Sequence, residues 1–128
     1  SHCEVLTGAL VAKKKHKISL GLDIEIIGRV TKDLWNLVFT KNELNYLQTL
    51  TDSDKLIMST LIFSVKEAFY KFQHPVTGLF LDFLDVEVVI DLNSVFIKII
   101  KKDLSIEFLQ REFIPKVFST NKCIVSVF

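Results

Sequence analysis

The chain has 128 residues, enough for one domain or a large part of one. Its 49% hydrophobic content, with eleven Phe, supplies a packed core and argues against disorder. Sixteen basic and fifteen acidic residues leave a net charge of +1, which gives no electrostatic footprint for nucleic acid or a membrane surface.

The chain opens on Ser1-His2-Cys3 without a Met and reads as an excised or N-terminally truncated piece. No apolar run approaches the roughly 20 residues of a membrane span. No basic stretch followed by an apolar core marks a secretory signal. Cys3 and Cys123 are too few for a disulfide framework and lack zinc-ligand spacing, so two reduced thiols in a cytoplasmic protein are expected.

Residues 5–12 (VLTGALVA) predict a buried strand and 18–27 (ISLGLDIEII) a second. The basic run Lys13 to Lys17 forms the hairpin turn between them. Thr31 or Asp33 then caps a short helix ending at Phe39. Thr40 precedes KNEL, which puts Glu43 at the capping-box position of a second helix. TDSD at 51–54 is the clearest helix start, and the helix is expected from Asp54 to Gln73. Ile57, Leu61, Val65, Ala68 and Phe72 recur at helical spacing and define its buried face. The run His74-Pro75-Val76-Thr77-Gly78 should end it, because proline opposes continuation and glycine favours a turn. Residues 84–91 and 94–101 predict two strands joined at Leu92-Asn93. The stretch 103–113 is ambiguous, and Lys122 to Phe128 alternates as a closing strand. The expected class is α/β or α+β, with a helix packed on an antiparallel or mixed sheet.

Asp23 and Glu25 are two apart in a strand, so both side chains leave one face. Apolar neighbours make such a pair costly without a partner, and a divalent cation is one remedy. Oxygen-only ligands favour a hard ion such as Mg²⁺. By spacing alone, an ordinary solvated acidic pair remains the simpler account. Glu67 and Lys71, four apart, lie within about 40° of each other around the helix axis, while Lys66 points about 100° from Glu67. Spacing alone again allows only a surface ion pair. His16, His74 and Trp35 have no partners at functional spacing and read as structural.

The combination is more specific. Gly21-Leu22-Asp23-Ile24-Glu25 resembles the G-[IV]-D-[IV]-E strand of the 4'-phosphopantetheinyl transferases. Phe63-Ser64-Val65-Lys66-Glu67-Ala68-Phe69-Tyr70-Lys71 resembles their [FW]-[ST]-x-K-E-[AS]-x-x-K helix. Ser1-His2-Cys3 is similar to the S-H-C motif that precedes both. Pro75-Val76-Thr77-Gly78 and Leu81-Asp82-Phe83 fit the pattern after the helix. These motifs stand in the family's order and spacing over most of the chain. They are most similar to the larger, pseudo-dimeric type exemplified by the enterobactin synthetase component D.

The resemblance implies that residues 1–128 are the catalytic, C-terminal half of a pseudo-twofold enzyme. It would transfer 4'-phosphopantetheine from coenzyme A to a serine of an apo acyl or peptidyl carrier protein, releasing 3',5'-ADP. By the same resemblance Asp23, Glu25 and Glu67 would bind Mg²⁺, while Lys71 and Lys66 would contact phosphates. His2 would lie near the 3'-phosphate, and the basic turn at 13–17 could attract that phosphate or an acidic carrier. Glu67 would be the base, directly or through a metal-bound water. Nonribosomal peptide or siderophore synthesis is the implied setting. The larger type binds coenzyme A between two halves, so the alternative is a truncated, non-catalytic remnant that binds metal or carrier without turnover.

Overall fold

A computed structural model describes residues 1–13, 19–92, 94–102 and 107–128. The N-terminus forms a small antiparallel ribbon, β1 (His2–Cys3) with β2 (Leu6–Thr7). Next come β3 (Leu22–Ile26), a 3₁₀ turn at Lys32–Leu34 and a short helix α1 (Trp35–Val38). Two helices follow, α2 (Lys41–Gln48) and α3 (Asp52–Thr77). The chain closes with the hairpin β4 (Val86–Asp91) and β5 (Ser94–Ile99), then β6 (Lys116–Ser119) and β7 (Cys123–Val127).

Strand β7 is central in an antiparallel sheet of order β3-β7-β6, with Asp23 opposite Ser126 and Glu25 opposite Ile124. Helix α3 lies across this sheet and also touches the β4-β5 hairpin and α2. The core therefore has two sides. Phe69 packs its ring against Phe113 and Phe128 at 5.0 and 5.5 Å between centroids. Leu61, Val65 and Ala68 are buried as expected, but so are Ile62, Lys66 and Gln73 on other faces of α3. A single apolar stripe understates the burial of a helix covered on more than one side.

Helix starts follow the sequence closely. Thr40 and Glu43 form a complete capping box, and the Thr51 side chain accepts from the Asp54 amide. At the short helix, Thr31 occupies the cap position without a side-chain bond to the backbone amides. The end of α3 differs from expectation. It runs through Pro75 to Thr77, and Gly78, at φ 67°, supplies the left-handed cap with its amide bonded to the His74 carbonyl at 2.8 Å. Proline in the last turn forfeits one backbone bond only, and Gln73 compensates locally by bonding the Leu79 carbonyl and the Thr77 hydroxyl.

Two other expectations are corrected. The apolar run 5–12 is not a buried strand: pairing stops at Thr7, and Val11 is 94% exposed. The 3₁₀ turn Phe83–Asp85, closed by an Asp82/Asp85 capping box, delays the start of the strand expected at 84. Most of the basic turn, Asn93, and residues 103–106 lie outside the described residues. Of the ambiguous stretch, Glu107–Leu109 form a 3₁₀ turn and Phe113 bridges to Ile97. Strand β6 carried no signal that separated it from loop. No helix among the described residues is long and apolar enough to cross a membrane.

Candidate active site

Strand β3 presents two unlike faces. Leu22 and Ile24 lie under the N-terminal segment, where a side chain at Gly8 would meet both. The alternating face carries Gly21, Asp23 and Glu25 toward α3. Gly21 makes that approach possible. A Cβ there would stand 1.9 Å from the Ala68 carbonyl oxygen and 2.8 Å from Phe72 Cβ. The glycine of the strand thus meets the alanine of the helix, and the carboxylates beyond each are brought together.

Lys71 links them. Its Nζ lies 2.6 Å from Asp23 Oδ1 and 3.7 Å from Glu67 Oε2. The Asp23 side chain is 3% exposed, whereas Lys71 is 40% exposed, so the cluster opens to solvent on the lysine side. The Ser1 hydroxyl reaches Asp23 Oδ1 at 3.4 Å. Asp23 Oδ2 is buried with no hydrogen-bond partner among the described residues. Glu25 meets Arg29 only at a loose 3.9 Å.

The electrostatics show a shortage of positive charge. Burial, and then Asp23, raise the Glu25 carboxyl above the ordinary glutamate range, with Glu67 adding to them and Arg29 and Lys71 opposing. Burial likewise raises Glu67, against the pull of Lys71, and Asp23 adds repulsion. Carboxyls raised by burial and mutual repulsion would be relieved by another cation. The donors are all oxygen, and one buried oxygen is orphaned, which fits a hard ion such as Mg²⁺. Among the described residues, however, no three His, Cys, Asp or Glu side chains are grouped closely enough to hold a metal as they stand. The Lys71 ammonium supplies the counter-charge here.

Lys66 is placed apart from this group. Its Nζ donates to the Val38 carbonyl at 2.9 Å, the Phe83 carbonyl at 2.8 Å and Glu43 Oε2 at 2.7 Å. An ammonium has three donors, and all are engaged. Burial lowers the proton affinity of Lys66, with Glu43 opposing. Glu43 Oε2 also accepts from the Thr40 amide, and its Oε1 accepts from the Val88 amide. Spacing gave the 100° divergence of Lys66 from Glu67, but not what waited on that side.

Strand β1, which carries His2, packs beside β3, and the His2 side chain is exposed. Next to Glu67 lies a largely apolar pocket of about 130 Å³, lined in part by Tyr70, Phe80, Leu81 and Phe83. The sequence pointed to the phenylalanines as core, yet Phe80 is 72% exposed, and it gave Tyr70 no role of its own. The T-shaped contact of their rings, 5.9 Å between centroids, is tertiary and left no signal beyond their aromatic character.

A family model described as the 4'-phosphopantetheinyl transferase superfamily matches residues 19–121, which include both the strand and the helix motifs. The chain is 34% identical over 95 residues to 4'-phosphopantetheinyl transferase Svp of Streptomyces mobaraensis, covering 73% of this chain and 39% of that protein. It is 32% identical over 94 residues to 4'-phosphopantetheinyl transferase Npt of Nocardia iowensis, covering 73% and 41%. It thus spans about two fifths of the length of these curated relatives. In fold it is similar to a holo-(acyl-carrier-protein) synthase from Bacillus anthracis solved in complex with CoA (3',5'-ADP). The TM-score is 0.61 at 21% identity, over 86% of this chain and 92% of that one.

Proposed function

This chain belongs to the 4'-phosphopantetheinyl transferase superfamily, and from that membership we propose that it carries the catalytic cluster of such an enzyme. The substrates would be coenzyme A and an apo acyl or peptidyl carrier protein. The observation that carries this reading is the convergence of Asp23, Glu67 and Lys71 across the β3–α3 contact, with Glu25 on the same strand face.

In the proposed reaction the carrier serine hydroxyl attacks the β-phosphorus of coenzyme A. A new P–O bond forms to the serine, and the P–O bond to the leaving 3',5'-ADP breaks. Glu67 takes the serine proton. It is suited to that task because burial raises its proton affinity above the ordinary glutamate range while leaving its side chain 30% exposed. Lys71, half-exposed at the mouth of the cluster, would turn from Asp23 to the pyrophosphate and offset its charge. Asp23, Glu25 and Glu67 would hold Mg²⁺, whose chemistry when bound is to neutralise the charge developing on the pyrophosphate. His2, exposed on β1, is proposed to meet the 3'-phosphate. Lys66 has no free donor for a phosphate, and the proposed site is built without it.

The length of the relatives gives the reading its second half. A chain spanning two fifths of them is proposed to be the catalytic part of a larger, pseudo-twofold protein that completes the coenzyme A cleft. The test is to incubate the parent-length protein with coenzyme A, Mg²⁺ and a panel of apo-carriers. One phosphopantetheine group adds about 340 Da to a carrier, read by intact mass. No mass gain on any carrier would favour the non-catalytic remnant.

A further inference from the structure

Cys3 and Cys123 stand 120 positions apart in the chain, yet their sulfurs are 3.6 Å apart. Cys123 is 2% exposed on the central strand β7, opposite Ile26. Cys3 is half-buried on β1, whose ladder among the described residues is the short one with β2. We propose that these two thiols are a redox-reactive pair that closes to a disulfide by exchange with a small-molecule disulfide, clamping the N-terminal ribbon to the catalytic sheet.

A disulfide sulfur pair sits at about 2.0 Å, so closure needs a shift of about 1.6 Å. The ribbon can supply it. Strand β7 is held on both sides, and the Cys123 amide is tied to the Thr120 hydroxyl at 2.9 Å. Strand β1 is two residues long, and His2 on it is exposed. The more accessible Cys3 thiolate attacks one sulfur of the small disulfide, giving a mixed disulfide at Cys3 and releasing one thiol. Cys123, losing its proton to solvent, then attacks Cys3 Sγ and displaces the second thiol. Two cysteine thiols are oxidised and one small disulfide is reduced to two thiols. Burial and the neighbouring Cys3 raise the Cys123 thiol, so Cys3 is the residue that attacks first. The clamp bears on the site because Ser1 and His2 precede Cys3 directly, and Ser1 bonds Asp23.

The experiment equilibrates the reduced full-length protein with oxidised glutathione, alkylates it and maps its peptides by mass. The expected product is a cross-linked peptide pair containing Cys3 and Cys123, with a loss of about 2 Da and at least a tenfold fall in alkylation of both residues. In Cys123→Ala, the exchange should stop at a lasting glutathione adduct on Cys3. A wild-type protein whose two cysteines stay alkylated, or carry glutathione without cross-linking, overturns the proposal.

Discussion

Lys66 and Lys71 lie five residues apart on one helix and meet opposite fates. Lys66 is sealed among two carbonyls and Glu43, in a network where each buried oxygen of Glu43 has a donor. Lys71 is shared between Asp23 and Glu67 at a half-open site, beside a buried Asp23 oxygen with no donor among the described residues. A buried charge with a full set of partners fixes elements to one another. A group of charges short of partners is poised for something that arrives. The same helix therefore holds a sealed lysine and one at the proposed site, and burial with hydrogen-bond accounting separates them.

The comparison breaks most clearly on Lys66. Lys66→Met leaves Glu43 buried and uncompensated, and should cost about 3–5 kcal/mol in urea unfolding. Adding Glu43→Gln should recover part of that loss by removing the orphaned charge. A stability close to wild type in the single variant would contradict the structural assignment. Gly21→Ala comes next. The added methyl meets the Ala68 carbonyl, so it should cost about 1–3 kcal/mol and pull β3 from α3. Amide shifts in a two-dimensional NMR spectrum should move at residues 21–25 and 67–71, and confinement of the shifts to residue 21 would count against this contact as the hinge of the site.

A smaller effect sharpens the contrast through pH. At Glu87, burial acts to raise the carboxyl, but bonds from Lys98, Thr40 and Asn42 outweigh it and hold the carboxyl below the ordinary glutamate range. Its folded pKa is depressed, so its contribution is present above the unfolded value and is lost as pH falls through the folded one. Glu67 has the opposite sign. Its folded state binds the proton more tightly, so stability falls as pH rises from the ordinary glutamate value through the raised one. Unfolding free energy measured against pH should show a shallower acid-side fall in Glu87→Gln, and gain stability at neutral pH in Glu67→Gln. Parallel profiles for the two variants would erase the distinction. As the smallest effect, Thr51→Ala, at a helix start away from both clusters, should cost about 1 kcal/mol and leave both profiles unchanged.

Much of this was legible in the sequence because it is local. The Thr40–Glu43 box, the start of α3 and the shared face of Asp23 and Glu25 depend on neighbours within four residues. What was not legible depends on where distant segments meet. Glu43 read as a cap, but its link to Val88 and Lys66 spans 45 and 23 positions. Val5 to Val11 read as a buried strand because apolar residues carry the same pattern whether or not a partner covers them. Gly21 stood inside a motif, but its steric reason appeared only with Ala68 opposite. Proline at 75 signalled the end of α3 slightly early, since the last turn tolerates what the interior does not.

The central claim is that the open cluster, not the sealed one, serves the chemistry. Its most direct measurement is the initial rate of phosphopantetheine transfer by Glu67→Gln in the parent-length protein, with its thermal unfolding followed in parallel. The account predicts a fall of at least about a hundredfold in rate with the melting temperature preserved or raised. A rate equal to that of the unaltered protein would remove Glu67 from the mechanism and contradict the account.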